Sequence, residues 1–384
     1  MYSYEGQSEV KQWLEQKRLR IAAWNDLPHS ISVLLAVIDT EALLAAGMKI
    51  ASFNVQRFGL TKIRDPNVLS TLVKIVSRYD IILILEVVDV SGASVDYFLQ
   101  ELNRVNRTHH YSLKISTRLG RTRYKEQFLF LYRDDLVNLI GSYQYEDNQA
   151  GDEDVFAREP YILHFRSDTT VLRDLVLIPV HTKPQDSERE LDELYEVFQA
   201  VKRKWKTDNI MILGDFNADG AYVSKREMKD IRIRSDKNFH WLIGDDVDTT
   251  ANTGNEHTYD RIVVYGDDML DAVVPNSAQP FNFQKAFGMT EEMALDVSDH
   301  YPVEVELKSK TNNVITRSMN FCYGSAGQNT EEGPQIRRSS FTNTRTEEMY
   351  MEVLDLKKKN QLLKNEKLKL QIEMLQMELG RQTK

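Results

Sequence analysis

Cysteine is nearly missing from this chain of 384 residues: Cys322 is the only one, and it falls outside the stretch that carries most of the apolar segments. An intramolecular disulfide is therefore excluded, and the core is expected to stand without a covalent staple. The same scarcity rules out any Cys/His cluster of zinc-ligand spacing. No apolar run approaches the ~18 residues of a membrane span, so no membrane partner is expected. Met1 to Arg20 is polar, with no secretory signal at position 1. Farther on, Ile31–Ile38 followed by Glu41–Gly47 resembles a signal-type apolar stretch with a small-residue cleavage site, but Asp39 and Glu41 break it. An amphipathic helix capped by Gly47 is expected there instead. These features favour a nuclear or cytoplasmic compartment, with secretion as the alternative. Basic charge is short too: the net charge is −9, and residues 48–308 carry 32 Lys and Arg against 43 Asp and Glu. That balance argues against a broad electrostatic footprint on nucleic acid, although a local basic groove or bound metal ions would compensate. Arg118-Leu-Gly-Arg121-Thr-Arg123-Tyr124-Lys125 is such a local cluster, with an aromatic inside it.

A chain of this length exceeds the usual single-domain size, so one domain of about 250 residues with attachments is expected. Its 41% hydrophobic content can fill such a core. Residues 48–308 alternate apolar strands with helical segments. Helical spacing marks Asn67–Arg78 through Leu69, Leu72, Val73 and Val76, and Glu190–Lys204 through Leu191, Leu194, Val197, Phe198 and Val201. Glu126–Tyr132 and Tyr161–Phe165 read as paired strands. The pattern predicts a layered α/β or α+β domain, with α+β in a four-layer α/β/β/α sandwich of two packed mixed sheets expected. Residues 1–47 are expected as a helical extension and 309–345 as a flexible linker rich in Ser, Thr, Asn, Gly and Arg. In 346–384, Leu356, Leu363, Leu370 and Met377 recur every seventh residue, with Asn360 and Lys367 at the interleaved positions. This predicts a C-terminal coiled-coil helix and a homodimer through it. A single charged helix in solvent is the plainer alternative, and Leu362, Leu368, Ile372, Leu375 and Leu379 offer a competing seam.

Chemistry concentrates where apolar runs stop. Ile210–Leu213 ends at Gly214 and delivers Asp215 and Asn217, Ile81–Leu85 delivers Glu86, and Leu175–Val180 delivers His181. Any one of these is an ordinary way for a buried strand to leave a core; their recurrence points to a site. Hydrolysis of a phosphodiester needs a general base, neutralisation of the phosphoryl charge and support for the leaving oxygen. A divalent cation supplies the last two. Asn54, Glu86 and Asp299 are hard oxygen donors at strand ends, which suits magnesium. His181 and His300 are candidates for base and acid, each needing a carboxylate to fix its tautomer.

Seven segments then match one family. Met48-Lys-Ile-Ala-Ser-Phe-Asn-Val, Arg78-Tyr-Asp-Ile-Ile-Leu-Ile-Leu-Glu, Leu119-Gly-Arg-Thr-Arg-Tyr-Lys-Glu, Arg158-Glu-Pro, Gly214-Asp-Phe-Asn-Ala-Asp, Tyr259-Asp-Arg-Ile-Val-Val and Ser298-Asp-His-Tyr-Pro-Val-Glu resemble deoxyribonuclease I and its relatives in the endonuclease/exonuclease/phosphatase superfamily. The resemblance runs from Met48 to about Leu307 and is silent on both flanks. It implies an endonuclease that cuts double-stranded DNA with magnesium or manganese. His181 would pair with Glu126 and His300 with Asp260, as general base and acid. Glu86, with Asn54 and Asp299, would hold the catalytic cation, while Asp215 and Asn217 would bind metal or the scissile phosphate. Arg158, Tyr124 and Arg121 would contact DNA. Structural calcium would sit on Asp147, Asp154, the Phe156 carbonyl and Glu159, and a second ion on Asp248 and Thr250; otherwise Asp152-Glu-Asp154 is a plain solvated turn. The chain departs from the family in three places. The usual cysteine pair is replaced at Gly220 and Glu256-His257, Thr249–Thr258 carries an extra residue, and Val88 stands where many relatives have an arginine that reaches the minor groove. A phosphatase acting on a small phosphoester and a non-catalytic scaffold are the competing functions; the intact His181, His300 and Glu86 argue against the scaffold.

Overall fold

The apolar runs become the central strands of two sheets. A computed structural model describes residues 47–147, 154–254 and 256–310. The expected coiled-coil helix, nearly all of the N-terminal extension and linker, and Cys322 lie outside the described residues. The first sheet has the order β11-β12-β1-β2-β4-β3, built from β1 (Met48–Phe58), β2 (Ile81–Val87), β3 (Tyr111–Ile115), β4 (Gln127–Arg133), β11 (Gln279–Pro280) and β12 (Val303–Leu307). The second has the order β5-β6-β7-β8-β10-β9, built from β5 (Asn138–Gln144), β6 (Tyr161–Arg166), β7 (Asp174–His181), β8 (Ile210–Asp215), β9 (Phe239–Trp241) and β10 (Asp260–Tyr265).

Each sheet has one parallel pair at its centre, β1 with β2 and β7 with β8, and antiparallel neighbours outside it. A parallel pair needs a crossover, and a helix supplies each one. The first is α1 (Pro66–Val76), opened by the Asp65 side chain, which accepts from the Asn67 and Val68 amides ahead of a proline at the first turn. The second is α3 (Ser187–Trp205). With α2 (Ala93–Val105) beside α1 on the first sheet, the helices form the outer layers, and α+β with four α/β/β/α layers is the observed architecture. No helix among the described residues is long and apolar enough to cross a membrane.

The two-residue period of the strands decides where the chemistry lies. Ile50 of β1, Leu83 and Leu85 of β2, Phe128 and Phe130 of β4, Leu177 of β7, Met211 and Leu213 of β8 and Ile262 of β10 all face the core between the sheets. Continuing the same alternation leads from Ile50 to Asn54, from Phe128 to Glu126, from Leu177 to His181, from Leu213 to Asp215 and from Ile262 to Asp260. The candidate site is therefore the polar end of the inter-sheet core, at the carboxyl ends of both parallel pairs. Open α/β sheets bind ligands at that kind of position. The strands expected as a pair, β4 and β6, lie in different sheets, each already flanked on both sides by other strands. They meet across the core instead, with the Tyr132 and Phe165 rings 5.2 Å apart.

Candidate active site

Backbone irregularities turn the strand ends toward one another. The register of β1 with β2 shifts between Asn54 and Phe58, and that of β2 with β4 shifts between Ile84 and Val87. Such bulges re-aim side chains. Gln56, Arg57, Glu86 and Asn217 all have positive φ, at 49°, 58°, 61° and 46°. Left-handed backbone at non-glycine residues is strained and persists only where its surroundings enforce it. Glu86 is held by its own carboxylate: Oε2 accepts from the Arg57 amide at 2.9 Å and Oε1 from Asn54 Nδ2 at 3.0 Å. Gly214 is required, because a Cβ there would lie 1.9 Å from the Val180 carbonyl oxygen of the neighbouring strand.

Two histidine–carboxylate pairs converge on the end of β8, one from the β7 side and one from the β10 side. His181 Nδ1 lies 2.8 Å from Glu126 Oε2, and His300 Nδ1 lies 2.7 Å from Asp260 Oδ2. With Nδ1 engaged, each ring turns Nε2 inward, and the two Nε2 atoms lie 3.7 and 3.8 Å from one atom, Asp215 Oδ2. The same oxygen accepts from Asn54 Nδ2 at 3.1 Å. Asn54 thus holds Glu86 and Asp215 together through its nitrogen, while its Oδ1 accepts from the Gln56 amide at 2.9 Å and fixes that orientation. Asn217 donates from Nδ2 to the Thr182 carbonyl, and its own amide donates to Asp215 Oδ1. Asp299 Oδ1 is buried without a hydrogen-bond partner, a free hard oxygen of the type a divalent cation takes. Glu86 and Asp299 together are the hard carboxylate donors a divalent cation takes.

Charge is distributed unequally between the two pairs. Burial opposes the Glu126 carboxylate, but His181 and Arg158 outweigh it and bring its pKa down to about 2. Arg158 lies inside the protein, with Nη1 on the His181 carbonyl at 2.9 Å and Nε 2.8 Å from Glu126 Oε2. For His181, burial and the Arg158 charge push the proton off, and Glu126 and Asp215 more than restore it, so the pKa is raised. For His300, burial alone is the main opposition; Asp260 and Asp215 raise its pKa to about 10, with Asp299 adding to them.

Glu190, which the sequence reading treated only as the start of a helix, is buried beneath this pair. Its Oε1 accepts from the Ala157 amide at 3.3 Å and the Lys183 amide at 3.2 Å, joining the segments that carry Arg158 and His181. A signal existed in the sequence: Glu190 occupies the apolar stripe of α3, four residues before Leu194 and seven before Val197. Burial raises its pKa from 4.5 to about 7. The folded state therefore binds this proton more tightly than the unfolded chain, and the stability it contributes is complete below pH 4.5 and lost as pH rises through 7. Glu190→Gln keeps the Oε1 acceptor and abolishes the titration. Denaturation curves at pH 4.5 and 8 should show near-equal stability at the acid end and a variant more stable by about 2–3 kcal/mol at pH 8; parallel pH profiles would rule this out.

The acidic loop gathers a second group of carboxylates. Asp147, Asp154 and Glu159 each bring a ligand atom within 4.8 Å of the others. Asp147 Oδ2 is fixed by the Val155 and Phe156 amides, both at 2.8 Å. Burial, with the neighbouring Asp147 and Asp154 charges, raises the Glu159 pKa, which is repulsion that a cation would relieve. Arg121, itself exposed, is engaged here, with Nη2 3.0 Å from Asp154 Oδ1. In the other loop, Asp248 Oδ1 already accepts from the Thr250 amide, the Thr250 hydroxyl and the His257 amide. That is a self-satisfied turn, and no three-ligand acidic group forms there among the described residues.

Tyr124 is 45% exposed beside the Glu126 side of the site, and on the far side Tyr222 is 40% exposed. Tyr222 belongs to an aromatic row that the sequence did not reveal: Tyr222, Tyr259 and His257 stand at 5.6 and 4.8 Å centroid spacings, and Tyr259 lies 6.3 Å from the His300 ring. The two segments that cysteines would join in the family are tied non-covalently. Asp219 Oδ2 accepts from the Thr258 amide at 2.9 Å and lies 3.4 Å from His257 Nδ1, while Gly220 leaves room for the His257 ring.

Two packed mixed sheets, with paired imidazoles and carboxylates where their central strands end, are the frame of a phosphoester-processing fold. Residues 51–300 match the Endonuclease/Exonuclease/phosphatase family, and the chain belongs to it. It is similar to deoxyribonuclease gamma of Homo sapiens, 47% identical over 278 residues that cover 72% of this chain and 90% of that protein. Similarity to deoxyribonuclease-1 of Oryctolagus cuniculus is 44% identity over 278 residues, 72% of this chain and 98% of that one. Deoxyribonuclease-1-like 1 of Cricetulus griseus is 42% identical over 289 residues, 74% of this chain and 92% of that protein.

Proposed function

We propose that this chain is a deoxyribonuclease, a divalent-metal-dependent endonuclease that hydrolyses phosphodiester bonds of double-stranded DNA. The observation that carries the proposal is the approach of both imidazole Nε2 atoms to Asp215 Oδ2, which brings two proton-transfer groups to one point. The named relatives are deoxyribonucleases, and that similarity supports DNA as substrate.

His181, held through Nδ1 by Glu126, serves as base, and His300, held through Nδ1 by Asp260, serves as acid. His181 Nε2 takes a proton from water, the water oxygen bonds to phosphorus, the bond to the leaving oxygen breaks, and His300 gives that oxygen its proton. Glu126 and Asp260 hold the two rings and offset their charge. Glu86, Asp299 and the remaining lone pair of Asn54 Oδ1 would hold magnesium or manganese, with Asp215 and Asn217 next to the phosphate. The cation would supply neutralisation of the phosphoryl charge. Calcium fits Asp147, Asp154 and Glu159, with the Phe156 carbonyl as a further donor; a second calcium on Asp248 and Thr250 rests on resemblance alone. Tyr124 and Tyr222 flank the entrance as DNA contacts, and Arg158 acts from below. Residues 48–308 would form the catalytic domain, and a homodimer through 346–384 rests on the heptad pattern alone.

Full-length protein should nick and linearise supercoiled plasmid with magnesium and calcium, and EDTA should stop it. Cleavage that persists in EDTA would refute the metal requirement, and hydrolysis of small phosphoesters without plasmid cleavage would move the substrate to that class.

A further inference from the structure

We propose that Lys62 is a positioning residue for the catalytic cation site, an internal counter-ion that locks two of its ligand-bearing segments together. This rests on the assignment of Glu86, Asn54 and Asp299 to that site. Lys62 belongs to the single helical turn Leu60–Ile63 that follows β1. Its Nζ donates to the Val55 carbonyl and to the Val297 carbonyl, each at 2.7 Å. Val55 follows Asn54 in β1, and Val297 ends the helix Glu291–Val297 directly before Ser298-Asp299-His300.

The carbonyls at a helix end have no partner within the helix and carry partial negative charge, so an ammonium from another segment is well placed there. A second stitch follows the same seam: the Ser298 hydroxyl donates to the Asn54 carbonyl at 2.6 Å and accepts from the His300 amide at 3.1 Å. Burial lowers the Lys62 pKa to about 8, while the Asp299, Glu86 and Asp296 charges oppose that and keep the side chain a cation at neutral pH. One compact cation therefore fixes the β1 exit against the Asp299 loop and offsets the mutual repulsion of carboxylates gathered to receive a metal. Both of its hydrogen bonds go to backbone carbonyls, which makes it a support for the ligands and not a group in the reaction.

Mn2+ binding to the full-length chain, followed by the EPR signal of the free ion, tests this independently of turnover. Glu86→Gln defines the relevant site, since Mn2+ on the Asp147 cluster is indifferent to that change. Lys62→Met, which keeps the side-chain length, is expected to weaken the Glu86-dependent site about tenfold, in the range for groups that orient metal ligands. The kcat should fall with it, and KM for DNA should hold. Lys62→Arg keeps the charge but cannot place one nitrogen on both carbonyls, and about threefold weakening is expected. Wild-type Mn2+ affinity in either variant, with Glu86→Gln deficient, would overturn the positioning role. Absence of any Glu86-dependent Mn2+ site in the wild type would overturn the metal assignment itself.

Discussion

Replacing His181 or His300 with alanine should lower plasmid cleavage by roughly 10²–10⁴-fold, the usual contribution of a positioned general acid or base. Both side chains are nearly enclosed, and each is paired with a buried carboxylate. His181 packs on the polar end of the core, and its partner Glu126 keeps Arg158, with the Arg158 Nη2 to Glu126 Oε1 bond at 3.1 Å. His181→Ala should melt close to wild type because Arg158 still pairs with Glu126, whereas His300→Ala should melt lower because buried Asp260 loses its partner, so cleavage is compared well below each midpoint. The double variant should be scarcely worse than either single one, because two groups that move protons in one step fail together. Glu126→Gln should do less damage, since an amide still holds the ring and only the charge offset is removed. Losses that multiply in the double variant would mean that the histidines act in separate steps, and cleavage within tenfold of wild type in either single variant would exclude that residue as acid or base.

The architecture was largely legible because a two-residue period in apolar runs is a local signal. Ile81–Leu85 and Ile210–Leu213 carry the information that puts their successors, Glu86 and Asp215, at a core exit. Helix limits were close, with Asn67–Arg78 expected and Pro66–Val76 found. The pairing of imidazoles with carboxylates is different in kind: Glu126 and His181 are 55 residues apart, Asp260 and His300 are 40 apart, and only resemblance could connect them before the fold was known. Bulges at Asn54 and Glu86 depend on the register of neighbouring strands, which no single segment encodes. Resemblance points to Arg158 for DNA; that Arg158 also pairs with Glu126 and the His181 carbonyl, and Arg121 with Asp154, depends on segments that only the fold brings together.

The second large effect is expected from Arg261, which takes no part in the reaction. It follows Asp260 in β10 with its side chain 1% exposed, and burial lowers its pKa. Every direction of its guanidinium is used: Nε donates to the Thr258 carbonyl at 2.9 Å, Nη1 to the Ile243 carbonyl at 3.0 Å and Asp245 Oδ1 at 2.9 Å, and Nη2 to the Ala218 carbonyl at 3.3 Å. The Trp241 ring lies 5.6 Å from it. Three loops that frame the His300 side of the site, those holding Ala218, Ile243–Asp245 and Thr258, are thus gathered on one cation. Arg261→Met approximates the volume but leaves three carbonyls and Asp245 short of a donor. Truncating one partner of a buried charged network costs about 3–5 kcal/mol. Arg261→Lys restores the charge without the planar fork and should recover only part of the loss. Urea denaturation of the three proteins measures it directly. Because the gathered loops flank Asp260, the methionine variant should also lose cleavage well below its own melting temperature. A loss under about 1 kcal/mol would mean that the hydrogen bonds of Arg261 merely offset the cost of burying it, which is the alternative that buried ion pairs often realise.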